Sequence, residues 1–289
     1  MTARRFRFVT VDVFTETRFG GNPLAVFPDA RGISDAEMQA LAAEFNLSET
    51  TFVLPPSDPA NTARVRIFNR KTEMPFAGHP NVGTGFVLAE RARDGELRFE
   101  EIAGLVRVRV EEGGTTIEAP QPLSTGAAMD VATLASCVGL APGDVLLDRH
   151  GPVLASCGNS FVVAEVTPEA LGRAVPDIAR FREVAGEWTA AGPERLPVYL
   201  WAREGRDALR ARMFSPLSGT IEDPATGSAA TPLAALLHSL GEGDRFTLRQ
   251  GVEMGRPSTL RIAAWRAEGG MRASVGGSCV RVLEGEALL

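Results

Sequence analysis

The chain has 289 residues, 44% hydrophobic and 23% charged, with a formal net charge of −6. This is ordinary globular composition at a length of about two domains of roughly 150 residues, and it excludes long disorder, a collagenous chain and a coiled-coil rod. A mildly acidic chain with dispersed arginines is not a general nucleic-acid binder. Its three cysteines, without a CxxC pair, argue against structural zinc and a disulfide framework and suit a reducing, cytoplasmic setting.

In chain order, residues 5–14 predict a strand that is apolar on both faces in its later part, rather than a signal peptide. Phe19-Gly20-Gly21-Asn22-Pro23 is a turn, and LAVF at 24–27 is a short strand. Ser34 followed by Glu37 is a capping box, and Met38, Leu41, Ala42 and Phe45 continue it as one face of an amphipathic helix. Glu49 falls where that helix ends and the next strand, Thr51-Phe52-Val53-Leu54, begins. Residues 63–68 and 105–110 alternate with period two, with Val65, Ile67, Val106, Val108 and Val110 inward, which predicts half-buried antiparallel strands. Between them, PFAGHPNVGTGFVLAERA runs from a Gly/Pro loop into a buried central helix at about 80–92. A break at 119–130 separates the halves. A short helix at 130–140, strand–turn–strand at 151–166 and a strand at 196–202 follow. No stretch approaches the roughly 18 apolar residues of a membrane span.

The chain also repeats itself. ALRARMF at 208–214 matches TARVRIF at 62–68, an offset of 146 residues from Phe68 to Phe214. Each copy leads into a turn and a small-residue helix start, at Gly78-His79-Pro80-Asn81 and at Gly227-Ser228-Ala229-Ala230. Two similar domains follow, 1–124 (with a C-terminal strand at about 276–289 able to pack back onto it) and 125–275. Equivalent loops of such a pair are expected on either side of one cleft.

Glycine-rich helix starts present free N–H groups and the positive end of a helix dipole, which suits a carboxylate or a developing enolate. His79 at such a start should stay neutral and could exchange a hydrogen bond with substrate; the plainer reading is a loop histidine holding backbone. Glu49, flanked by Ser48 and Thr50, both able to hold a carboxylate, is a candidate acid/base if burial raises its pKa; otherwise it is a turn residue. Asp223 could pair with His79 or bind a substrate amine, or simply form the turn with Pro224. Arg256, between Gly255 and Pro257, could pair with a carboxylate, and Asn22 in the 17–23 loop is a further substrate-binding candidate. His150 and His238 have no motif, and nothing has metal-ligand spacing.

VDVFT with FGGNPLAVF (11–27), NLSETTFV (46–53), FNRKTEMPFAGHPNVGTG (68–85), DPATGSAA (223–230) and QGVEMGRPS (250–258) also carry a resemblance. In this order, over nearly the whole chain, they resemble the phenazine-biosynthesis PhzF-like family, which shares the diaminopimelate-epimerase fold. The resemblance implies an α+β fold of two similar domains, each a curled antiparallel β-sheet or barrel around a central helix, with the active site in the cleft between them. It implies no cofactor, no metal and a homodimer. It assigns the catalytic glutamate to Glu49, the histidine to His79 and the aspartate to Asp223, with Gly78, Gly227 and Ser228 binding substrate. His79 and Ser228 stand where related racemases carry cysteines. The reaction implied is isomerisation of a dihydro-hydroxyanthranilate, the glutamate removing a proton at one carbon and returning it at another.

The leading expectation is therefore a cofactor-independent, cytoplasmic isomerase acting on a small acidic metabolite. A racemase or epimerase is the second reading; it would need Cys157 or Cys279 in the cleft. A non-catalytic small-metabolite binder is the third.

Overall fold

The computed structural model describes residues 4–192 and 195–289. The chain divides into two compact units, Met1–Pro120 with Gly276–Leu289, and Gln121–Val275.

The first unit runs β1 (Arg5–Val13), β2 (Asn22–Phe27), α1 (Asp35–Phe45), β3 (Glu49–Leu54), β4 (Ala63–Phe68), β5 (Glu73–Met74), α2 (Gly78–Val87), β6 (Glu96–Glu101), β7 (Gly104–Glu111) and β8 (Gly114–Glu118). The second runs β9 (Ser124–Ala128), α3 (Val131–Cys137), β10 (Val153–Ser156), β11 (Ser160–Glu165), α4 (Pro168–Arg173), α5 (Ile178–Glu187), β12 (Val198–Arg203), β13 (Ala208–Ser215), β14 (Thr220–Asp223), α6 (Gly227–Ser239), β15 (Arg245–Gln250) and β16 (Ser258–Ala267). A long last strand, β17 (Gly270–Leu288), begins in the second unit and ends in the first.

Strand pairing closes the first unit into a barrel: β17, β1, β2, β3, β4, β6, β7, β8 and back to β17. The second unit repeats the scheme from β9 through β10, β11, β12, β13 and β15 to β16, and the Leu123 N–H donates to the Met271 carbonyl at 2.7 Å beside the start of β9. The internal repeat is thus structural as well as sequential. In each unit a short strand, β5 or β14, hangs from the arginine-bearing strand β4 or β13.

The sheets are mixed, where the periodicity predicts antiparallel pairing alone. β2 pairs parallel with β3 and β4 with β6; β11 pairs parallel with β12 and β13 with β15. The reason lies in what covers them. β2, β3, β11 and β12 are buried along almost their whole length, as parallel strands covered on both faces are. In the first unit, α2 packs against β1, β2, β3, β7 and β8. The opposite face of β2 and β3 meets a phenylalanine cluster under α1, including Phe27, Phe52 and Phe68, with Phe27 and Phe52 stacked at 4.9 Å between ring centroids. In the second unit, α6 contacts β10, β11, β15 and β16, and a separate core joins α3, α4 and α5 to β11 and β12.

α1 begins with the Ser34–Glu37 capping box and ends at Asn46, whose left-handed φ of 53° turns the chain into β3. α2 is buried on all sides over its first eight residues. Its glycines permit that approach: a Cβ on Gly83 would lie 2.6 Å from Leu24 and 2.7 Å from Val13, and one on Gly85 would lie 2.6 Å from Val108.

Candidate active site

In the first unit the short link after α1 delivers Glu49 to the first position of β3, beside Leu24 of β2. Strand alternation puts Glu49 and Thr51 on one face. Both reach α2: the Thr51 and Thr84 hydroxyls are 2.8 Å apart, and Glu49 Oε2 lies 3.5 Å from His79 Nε2. The Thr115 hydroxyl, donating to the Val82 carbonyl at 2.7 Å, pins the same helix from β8. His79, 6% exposed, is the second residue of α2, and its Nε2 makes no hydrogen bond among the described residues. Glu49 keeps 16% of its side chain exposed, enough to meet a small molecule.

Burial dominates the electrostatics of His79. It pushes the imidazole down to about 3, with the Pro23 backbone pulling weakly the other way, so the ring is neutral at physiological pH. Its other nitrogen, Nδ1, is 3.4 Å from Asn22 Nδ2. Asn22 is wholly buried, and its Oδ1 accepts from the Ser48 hydroxyl at 3.2 Å. Ser48 thus orients Asn22, and Thr50 Oγ1 is buried without a hydrogen-bond partner among the described residues. Of the two hydroxyls flanking Glu49, that of Ser48 is committed to Asn22.

The helix starts have the open character expected of them. The residue before Gly78, Ala77, has no side chain able to cap α2. In the second unit Thr226 occupies the corresponding place before Gly227 and Ser228, yet its side chain does not cap α6. Its hydroxyl donates to Asp223 Oδ2 at 2.6 Å. Pro232, inside α6, has no N–H to return to the Ser228 carbonyl, which loosens the first turn further.

Asp223, 7% exposed, ends β14. Gln250, wholly buried at the end of β15, donates from Nε2 to the Asp223 carbonyl at 2.8 Å and to Thr226 Oγ1 at 2.9 Å. Its Oε1 accepts from the Thr226 N–H at 3.2 Å and from the Tyr199 hydroxyl at 3.1 Å. Gly251 follows with φ of 73°, and a Cβ there would lie 2.6 Å from the Pro224 carbonyl, so the turn carrying Arg256 packs directly on the Asp223 loop. Arg256 is half-buried, and its N–H closes that turn on the Gly251 carbonyl at 3.0 Å.

The structure therefore gathers Asn22, Glu49, Gly78 and His79 in one unit, and Asp223, Gly227, Ser228 and the Arg256 turn in the other. Sequence reasoning missed Tyr199 and the role of Gln250. The adjacency of Gln250 to the glycine turn was the available signal, and Tyr199 had none beyond being the chain's single tyrosine. His150 and His238 serve packing: Trp201 Nε1 donates to His150 Nε2 at 3.2 Å, and His238 Nδ1 is 3.0 Å from the Gly243 carbonyl. Cys137 and Cys157 are buried, which pushes their thiols up to about 11 and about 12, so neither is a ready thiolate.

Two α+β barrel units, one with a glutamate beside a neutral histidine at the start of its central helix and one with an aspartate just before its own, define the class, and comparison with known proteins gives the family. The model of the phenazine biosynthesis-like proteins matches residues 11–285, and the chain belongs to that family. An uncharacterized isomerase of Mesorhizobium japonicum is 40% identical, covering 96% of this chain and 97% of its own. The trans-2,3-dihydro-3-hydroxyanthranilate isomerase of Pseudomonas aeruginosa is 37% identical, with 98% and 99% covered. The crystal structure of a Bacillus anthracis phenazine biosynthesis protein of the PhzF family superposes with a TM-score of 0.87 at 25% identity, with 99% and 100% covered. This homology supports an enzyme of the isomerase class.

Proposed function

We propose that this protein is an isomerase that moves a proton within a small carboxylate-bearing metabolite, with Glu49 as the acid/base. The observation that carries the reading is the placement of Glu49 Oε2 3.5 Å from a buried His79 that burial keeps neutral. A neutral histidine does not compete for the proton that Glu49 takes up. Its ring, held in place by burial, stands beside the carboxylate and limits its movement. Glu49 then removes a proton from one carbon of the substrate and, partly enclosed and shielded from exchange with bulk water, returns it to another. No separate acid is required, because one group performs both transfers.

The uncapped N–H groups at Gly78 and at Gly227 and Ser228 suit a substrate carboxylate and the negative charge that develops when the carbon acid is deprotonated. Asp223 is proposed to orient a substrate amine or hydroxyl, and Arg256 to meet a carboxylate. The relatives' activity makes trans-2,3-dihydro-3-hydroxyanthranilate the first compound to test. The experiment is incubation in heavy water with mass and NMR detection. Isomerisation by the wild type and none by Glu49→Gln supports the reading; equal turnover by both sinks it.

A further inference from the structure

Every hydrogen-bonding position of the Gln250 amide is in use, and the bonds run in one direction. The Thr226 N–H can only donate and the Asp223 carbonyl can only accept, so the amide oxygen Oε1 faces the first at 3.2 Å and Nε2 faces the second at 2.8 Å. The wholly buried Tyr199 hydroxyl, facing that Oε1, therefore donates to it at 3.1 Å. The Gln250 Nε2 then has to face Thr226 Oγ1, at 2.9 Å. Because Thr226 Oγ1 accepts there, its own proton is directed at Asp223 Oδ2, 2.6 Å away. A second pair of bonds, from Gln250 Nε2 to the Asp223 carbonyl and from the Thr226 N–H to Gln250 Oε1, clamps the loop backbone itself. The four residues come from β12, β14, the start of α6 and the end of β15, so the chain of bonds ties the Asp223 loop to three strands of its unit.

We propose that Gln250, braced by Tyr199 and acting through Thr226, is a positioning residue that fixes Asp223 as an acceptor with one orientation. The functional consequence rests on the assignment of Asp223 to substrate binding; the structural part does not. A carboxylate receiving the Thr226 proton at Oδ2 is prepared for a substrate that brings a donor, an ammonium, amine or hydroxyl group. It is ill suited to a second acceptor such as a ketone oxygen. Thr226 leaves α6 uncapped while its oxygen accepts from Gln250 Nε2 and its proton goes to Asp223.

The test reads Asp223 directly. Protein with carbon-13 in its aspartate carboxyls, assigned by Asp223→Asn, is compared by NMR at pH 7 as wild type, Tyr199→Phe, Thr226→Val, Thr226→Ser and Gln250→Leu. The Asp223 carboxyl signal is expected to shift in Thr226→Val and Gln250→Leu, to shift less in Tyr199→Phe and to return towards the wild-type position in Thr226→Ser. An unmoved signal in Thr226→Val and Tyr199→Phe overturns the proposal, even where Gln250→Leu fails to fold. Turnover of trans-2,3-dihydro-3-hydroxyanthranilate is measured on the same samples. A loss of about tenfold in kcat/KM in Thr226→Val, the worth of one hydrogen bond at about 1.4 kcal/mol, restored by Thr226→Ser, supports the functional consequence. A shifted carboxyl signal with full turnover in Thr226→Val refutes it. A shifted signal with no turnover by the wild type refutes the proposed substrate and leaves the positioning network established.

Discussion

Two buried titrating groups in the first unit give stability opposite dependences on pH, and mutation should separate them. His79 falls from an ordinary 6.5 to about 3 because burial disfavours its charged form. A depressed histidine is neutral in the fold but takes up a proton when unfolded, so its contribution is complete above 6.5 and is lost as pH falls towards 3. Between pH 7 and pH 5 that loss is roughly 2 kcal/mol. Glu101, at the end of β6, behaves inversely. The residue as a whole is half-buried, but both carboxyl oxygens are inaccessible, and burial pushes the group from 4.5 up to about 8, with Asn81 pulling weakly back. Its protonated form suits the fold. That contribution is complete below 4.5 and fades as pH rises through 8, so moving from pH 7 to pH 5 adds about 2–3 kcal/mol. Wild-type stability should therefore vary little over this interval through these two groups. In His79→Gln the histidine slope vanishes, and stability should rise by about 2–3 kcal/mol on acidification; in Glu101→Gln it should fall by about 2 kcal/mol. Urea unfolding at pH 5, 6 and 7 reads both. A wild-type-minus-variant difference that stays constant with pH for His79→Gln would refute the claim that the ring is buried and neutral.

Glu49→Gln should lower turnover on the true substrate by about 10²–10⁴-fold, roughly 3–5 kcal/mol of transition-state stabilisation, the usual loss for a positioned general base. Its melting temperature should stay within a few degrees of the wild type, since the amide preserves the shape; collapse of the fold would remove the catalytic interpretation. The His79 ring should be neutral in nitrogen-15 spectra at pH 7, and Asn22→Leu should shift its Nδ1 signal. A protonated ring in the wild type at pH 7 would contradict its burial. Gly83→Ala should destabilise the first unit by up to about 2 kcal/mol in urea. The overpacking against Leu24 and Val13, at 2.6 and 2.7 Å, costs about 1–3 kcal/mol and exceeds the helix-propensity gain of about 1 kcal/mol; a more stable variant would show that the barrel yields there.

The sequence by itself determined what depends on neighbours along the chain. The Ser34–Glu37 box marks the start of α1, the alternation in ARVRIF and LVRVRV marks β4 and β7, and the buried glycine-rich run marks α2. Helix caps and alternating burial are local properties, written within a few residues. The five motifs and the repeat likewise carried the family and the pairing of Gly78-His79 with Gly227-Ser228. Only the tertiary structure decided the parallel pairs β2 with β3 and β11 with β12. An apolar run such as LAVF states that a strand is covered on both faces, and leaves the direction of its partner open. It alone decided that the Ser48 hydroxyl donates to Asn22, 26 positions away. Tyr199 and Gln250 meet across 51 positions, and a bond of that kind has no local pattern, because neither residue's neighbours in the chain point to the other. The residues that carry the proposed chemistry were legible from their motifs, while the side chains that aim them became visible only when the sheet brought distant strands together.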